Sequence, residues 1–112
     1  MRILEIRTYR LLPDTRDEYD RLFREAALPL LRQFDIDVVG AGPSLDDPNG
    51  YVLLRAFADL ADRQRSEDGF YASPAWRQGP REAIIEKIAV YMDAVLEVDE
   101  PTIDGLRRAL TR

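Results

Sequence analysis

From Arg2 to Leu11 the chain alternates as a strand does, with Leu4, Ile6 and Thr8 on one face and Ile3, Glu5, Arg7, Tyr9 and Leu11 on the other. The first face is that of an ordinary core. The second sets an acid, a guanidinium and a phenol in a row between aliphatic residues, a mixture that contact with water alone does not call for. A sheet carrying this strand is expected to cover a cavity or a subunit contact on its mixed side.

Leu12-Pro13-Asp14 ends the alternation, and Thr15 precedes Glu18 at the spacing of a capping box. A helix is expected from there, with Tyr19, Leu22, Phe23, Ala26, Ala27, Leu30, Leu31 and Phe34 at helical spacing along its core stripe. Pro29 lies inside this run and predicts a kink near residues 25 to 29, because it lacks a backbone donor and crowds the preceding turn. Ile36 to Ala41 reads as a second strand, Asn49-Gly50 as a turn, and Tyr51 to Ala58 as the returning strand. That strand repeats the theme, with Val52, Leu54 and Ala56 opposite Leu53, Arg55 and Phe57. Asp59 is a possible cap for a polar helix to Glu67. Gly69, Phe70, Tyr71, Ser73, Pro74 and Trp76 then form a punctuated aromatic stretch, followed by a short helical piece near Pro80 to Glu86. Lys87 to Val98 reads as the last strand, with Tyr91 and Asp93 on its mixed face. One domain over residues 1–98 is expected, with a tail over 99–112 that could form a short amphipathic helix through Ile103, Leu106 and Leu110.

A length of 112 residues allows one core and not two. No run approaches the roughly 18 apolar residues of a membrane span, and the chain enters its first strand without a secretory pattern, so a cytoplasmic protein that does not bind membranes is expected. There is no cysteine, which removes disulfides and thiolate chemistry. There is no histidine either, which removes the usual haem ligand and the commonest acid or base near neutral pH. Any catalysis must use carboxylates, Tyr, Arg, the lone Lys87, hydroxyls, backbone groups or a borrowed cofactor, and the residues themselves call for no cofactor or metal. The net charge of −5, with basic residues interleaved among acids, argues against a nucleic-acid partner.

The order strand, helix, strand, strand, helix, strand is that of a ferredoxin-like α+β unit, an antiparallel sheet with both helices on one face. Glu5-Ile6-Arg7-Thr8-Tyr9, Leu28-Pro29-Leu30, Phe57-Ala58-Asp59-Leu60-Ala61 and Ser73-Pro74-Ala75-Trp76 together resemble the NIPSNAP-like family over most of residues 2–98. The resemblance implies a homodimer, a dimeric α+β barrel whose sheets close face to face, with the mixed faces lining a central cavity or a pocket in each subunit. The wider barrel superfamily includes haem-degrading oxygenases, cofactor-free quinol oxygenases, polyketide cyclases and muconolactone isomerases. Lacking histidine, this chain departs from the haem-binding members and from those cyclases and isomerases that use an imidazole base.

Glu5, Arg7 and Tyr9 are the candidate catalytic residues. Arg7 would hold a carboxylate or enolate, Tyr9 would donate a hydrogen bond, and Glu5 would orient Arg7 or take a proton. The plainer alternative is a structural ion pair of Glu5 with Arg7 or Arg55, buried between subunits. Arg55, Phe57, Tyr71, Trp76, Tyr91 and Asp93 are the candidate ligand-binding residues; against this, Phe57 and Tyr91 could pack a dimer contact, and Tyr71 and Trp76 could anchor the broken helix. Asp46-Asp47 reads as turn chemistry and not as a metal site. Arg63-Gln64-Arg65 and Arg107-Arg108 read as solvated faces. Two functions remain open: a small-molecule-binding barrel, with cofactor-free cyclase, isomerase or monooxygenase chemistry on an apolar, aromatic or polyketide-like substrate, or a non-catalytic dimerising module whose partner is another protein.

Overall fold

Alternating strands and broken helices assemble here into a four-stranded antiparallel sheet. The computed structural model describes residues 1–111, and the end of the expected tail, Arg112, lies outside the described residues. The elements are β1 (Arg2–Leu11), α1 (Arg16–Leu22), a π-helical turn (Phe23–Ala27), α2 (Leu28–Gln33), β2 (Asp37–Pro43), β3 (Gly50–Phe57), α3 (Leu60–Ala72), α4 (Pro74–Arg77), α5 (Arg81–Ile85), β4 (Ile88–Val98) and α6 (Glu100–Leu110). The strand order is β2-β3-β1-β4, antiparallel throughout, which is the expected ferredoxin-like α+β arrangement. Tyr19, Phe23, Ala27 and Leu31 form the buried stripe of the first helical run and pack on Tyr9, Leu11, Tyr51 and Leu53 of the sheet.

The kink expected at Pro29 is realised as the π-helical turn just before it, where the amide of Leu28 donates to the carbonyl of Phe23. Widening the helix by one residue accommodates a proline that cannot donate, and helical structure continues through Gln33. The run ends at Asp35 in the left-handed region (φ 58°), with Ile36 N bonded to Leu31 O at 3.0 Å and Asp35 N to Arg32 O at 3.0 Å. Thr15 does not cap. Its backbone is helical, and its hydroxyl donates back to Leu12 O at 2.7 Å. Asp59 does cap, accepting from Asp62 N at 2.7 Å, and α3 runs past Glu67 through Gly69 to Ala72 because Phe70 is wholly buried and holds the last turn down.

The two faces of the sheet are used the other way round from the expectation. The mixed face of Ile3, Glu5, Arg7, Tyr9 and Leu11 lies under α1 to α5, and the Leu4, Ile6, Thr8 face is turned away from them. Alternation says that the faces differ; which one is buried depends on what the helices bring to it. Charged residues of α3 complete the mixed face, whereas the apolar face is covered over only part of its extent, by α6. Ile103 of α6 is fully buried against Leu4, Val39 and Ala56. At Gly40 the approach of α6 is so close that a Cβ would stand 2.6 Å from Leu110 Cδ1. Arg107, expected in solvent, donates to Asp37 Oδ1 at 2.8 Å and Oδ2 at 3.0 Å. Beyond α6 the apolar face is bare, with Val90, Met92 and Leu96 of β4 exposed.

Because Ile103 is the wholly buried anchor of α6, Ile103→Ala is expected to cost about 2–4 kcal/mol in urea denaturation. A cost below about 0.5 kcal/mol would mean that α6 does not dock in solution.

Candidate functional site

The register of the sheet brings the mixed residues together as cross-strand partners: Glu5 faces Arg55, Arg7 faces Asp93, Tyr9 faces Tyr91 and Ile3 faces Phe57. Helix α3 crosses above them and presents Arg63, Glu67 and Tyr71, four residues apart and therefore on one face. Glu5 and Arg55 are both fully buried within the one chain, beneath α3 and not between subunits as expected. Arg55 donates to Glu5 Oε1 from Nε at 2.8 Å and from Nη2 at 2.6 Å, and Arg63 Nε donates to Glu5 Oε2 at 2.7 Å. Arg7 is gripped by Asp93, with Nε to Oδ1 at 2.7 Å and Nη2 to Oδ2 at 3.0 Å. The Tyr71 hydroxyl accepts from Arg7 Nη1 at 3.1 Å and from Arg55 Nη1 at 3.0 Å.

Glu67 stands at the centre of this array, its carboxylate 3.6 Å from Arg7, 3.5 Å from Arg55 and 3.3 Å from Arg63. Its Oε2 is buried without a hydrogen-bond donor among the described residues. A carboxyl so placed holds its proton more tightly than one in water, and the electrostatics agree. Burial, then the hydrogen bond with Glu5, push the Glu67 carboxyl up to about 7. Burial also works against the charge on Glu5, but the hydrogen bond from Glu67 and the charge of Arg55 outweigh it and hold Glu5 at about 2. Arg7 is likewise opposed by burial and carried upward by its bond to Asp93. Tyr9 is pushed up to about 12 by burial and keeps its proton.

Above the array opens a cleft of about 700 Å³ between the sheet, α3 and the α4–α5 segment. Arg7, Arg63, Glu67 and Tyr71 form its polar floor, and Tyr9, Trp76, Ile84, Ile85, Ile88 and Tyr91 its apolar walls. The Arg7 guanidinium lies 4.6 Å from the centre of the half-exposed Tyr91 ring, and Tyr71 packs edge-on against Trp76. Of the sequence candidates, Arg7, Tyr9, Tyr71, Trp76 and Tyr91 line this cleft. Glu5, Arg55 and Asp93 lie behind it and hold the groups that do, and Phe57 is packed away in the core beside Ile3. Sequence reasoning missed Glu67 and placed Arg63 in solvent; the signal was the Arg63, Glu67, Tyr71 spacing, which sets one charged stripe opposite another. The lone Lys87 is engaged elsewhere, donating to Ala83 O at 2.8 Å. Among the described residues no three His, Cys, Asp or Glu side chains converge as a metal site requires, and no helix is long and apolar enough to cross a membrane.

The NIPSNAP family model matches residues 4–94. The chain belongs to the NIPSNAP family. A NIPSNAP protein from Agrobacterium tumefaciens is 26% identical with a TM-score of 0.79, covering 87% of this chain and 87% of that one. A NIPSNAP-like protein from Burkholderia xenovorans is 25% identical with a TM-score of 0.80, covering 88% of this chain and 86% of that one. The fold extends to a candidate antibiotic biosynthesis monooxygenase from Nitrosomonas europaea, at 17% identity and a TM-score of 0.63, covering 89% of this chain and 92% of that one. No curated protein matches the chain. Membership of the NIPSNAP family fixes the fold around the cleft, and the chemistry has to be read from the cleft itself.

A carboxyl raised in the folded state binds its proton more tightly there than in the unfolded chain, so its stabilising effect is full below about pH 4.5 and is lost as pH rises through about 7. Glu5, depressed in the folded state, acts oppositely and loses its contribution as pH falls toward about 2. With no histidine to titrate between, the urea midpoint is expected to be highest near pH 5 and to decline toward pH 8, and Glu67→Gln should abolish that decline. A wild-type midpoint that is flat from pH 5 to 8 would contradict the raised Glu67 carboxyl.

Proposed function

We propose that the protein binds a small, mostly apolar molecule with an aromatic or polyketide-like body and one polar oxygen function, and that it carries out cofactor-free chemistry on it. The observation that carries this reading is a cleft of about 700 Å³ with aromatic and aliphatic walls and a floor of ionised groups. That volume lies within the range of small-molecule sites, roughly 300–1,000 Å³. Arg7 is pre-set by Asp93 and cannot lose its charge, so it is ready to receive an oxygen on the ligand without reorganising. Trp76, Tyr91 and the isoleucines supply the surface for the body. The fold likeness to a candidate antibiotic biosynthesis monooxygenase fits this class of chemistry. A purely dimerising module would have no use for a cleft of this size floored by charge.

Homodimerisation is the second part of the proposal, and the bare apolar face supports it. Val90, Met92 and Leu96 are 54%, 71% and 52% exposed on one side of an edge strand, a patch that a second copy would cover. The cleft lies on the opposite side of the sheet, so pairing would leave it accessible.

Native mass spectrometry of freshly purified protein is expected to give a dimer carrying a small molecule that denaturation releases. Arg7→Ala should lose that molecule and keep the dimer mass, and Met92→Glu should yield a monomer. Retention of the molecule by Arg7→Ala would overturn the cleft assignment; a monomeric wild type would overturn the pairing.

A further inference from the structure

We infer that the floor of the cleft is a proton-transfer site for an enolisable ketone, in which Glu67 takes and returns the proton while Arg7 and Tyr71 hold the oxygen that becomes the enolate. The inference rests on the small-molecule reading of the cleft and names its substrate class.

Three features of the geometry meet at this point. Arg7 touches both other groups, with Nη1 at 3.1 Å from the Tyr71 hydroxyl and Nη2 at 3.6 Å from Glu67 Oε1, while Asp93 fixes its remaining edge. A base and two oxyanion donors therefore surround one small volume, as proton abstraction beside a carbonyl requires. The Tyr71 oxygen already accepts from two guanidiniums, which leaves its own hydrogen free for a ligand oxygen. The Glu67 carboxyl lines the cleft beside Arg7, its Oε1 3.6 Å from Nη2, while its Oε2 is turned inward and buried. Glu5 and Asp93, by contrast, have their oxygens held by arginines.

The charges support the step. Arg7, Arg55 and Arg63 balance Glu5, Asp93 and an ionised Glu67, so the floor is neutral with a neutral ketone above it. In the reaction the Glu67 carboxylate takes a proton from the carbon next to the carbonyl, and the C–H electron pair becomes the C=C bond of the enolate as the carbonyl π pair moves onto oxygen. Glu67 is then neutral and the enolate carries the negative charge, so charge moves between two positions within one guanidinium array and none is created. Return of the proton to the same or a conjugated carbon completes an exchange or an isomerisation, with no oxidant consumed. The groups facing Glu67 are Glu5 and Arg7 from β1, Arg55 from β3 and Arg63 and Tyr71 from its own helix, with Asp93 of β4 reaching it through Arg7 and Arg63. Burial, then Glu5, outweigh Arg55 and Arg63 and raise the Glu67 carboxyl to about 7, where a carboxyl serves as base and acid alike.

The test uses 2-tetralone, a neutral aromatic ketone with benzylic hydrogens beside its carbonyl. Binding is read from quenching of Trp76, the only tryptophan, and proton transfer from deuterium exchange of those hydrogens followed by NMR. The wild type should bind and accelerate exchange, with a rate that rises through a step near pH 7. Glu67→Gln should bind within about twofold and lose exchange by about 100-fold or more. Tyr71→Phe, which keeps the ring against Phe70 and Trp76, should lose at least about tenfold and serves if Glu67→Gln does not fold. Binding without accelerated exchange, or exchange that survives both substitutions, overturns the inference and leaves the cleft reading standing. Absence of binding to the wild type overturns the cleft reading and the inference with it.

Discussion

The buried contact between Glu5 and Arg55 is the constraint on which the rest of this molecule depends. Both side chains are fully removed from water, and neither charge is tolerable there alone. Their satisfaction fixes the register of β1 against β3, because each must lie opposite the other. It also dictates what the helix above must carry. The second oxygen of Glu5 needs a donor and receives Arg63; the outward edge of Arg55 needs an acceptor and receives Tyr71. Helix α3 is therefore held by polar groups along its Arg63, Glu67, Tyr71 stripe and by Phe70 at its last turn, where the α1–α2 run is held chiefly by apolar ones. Arg63 and Tyr71, held by that pair, form part of the floor of the cleft, so the device that makes the charged face foldable also builds the candidate site.

The sheet's two faces divide the work. The charged face binds α3 and frames the cleft, with Trp76, Ile84 and the half-exposed Tyr91 closing its sides. The apolar face carries α6 at one end, anchored by Ile103 and by the Arg107 pair with Asp37, and leaves β4 uncovered at the other. A partner on the bare strip and a ligand in the cleft would thus occupy opposite sides of one sheet and would not compete. Both would act on β1, which contributes Arg7 to one face and Ile6 and Thr8 to the other.

Much of this was legible in the sequence, and the parts that were not share a cause. Strand alternation located β1, β3 and β4 and grouped Glu5, Arg7, Tyr9, Arg55, Tyr91 and Asp93 on one side, because alternation is a local property. Which side faced the helices was not local, since it depended on α3 bringing Arg63 and Glu67 to neutralise that face. The polar character of α3 invited a solvated reading because amphipathicity is ordinarily recognised by an apolar stripe, and here the inward stripe is ionic. Phe57 shared its face with Arg55 but lay one pair too far along the strand to reach the cleft. Thr15 and Glu18 had the spacing of a capping box without its backbone, since Thr15 is itself helical and makes no side-chain cap bond. The docking of α6 rested on Gly40, whose missing side chain is informative only once Leu110 is seen above it.

The most direct test of this account is a double-mutant cycle on Glu5→Gln and Arg55→Met, read by urea denaturation. The account predicts that each single substitution costs about 3–5 kcal/mol by stranding its partner, and that the double variant costs clearly less than the two together. Single costs that simply add, to within about 0.5 kcal/mol, would mean that the buried pair does not organise the face on which the candidate site is built.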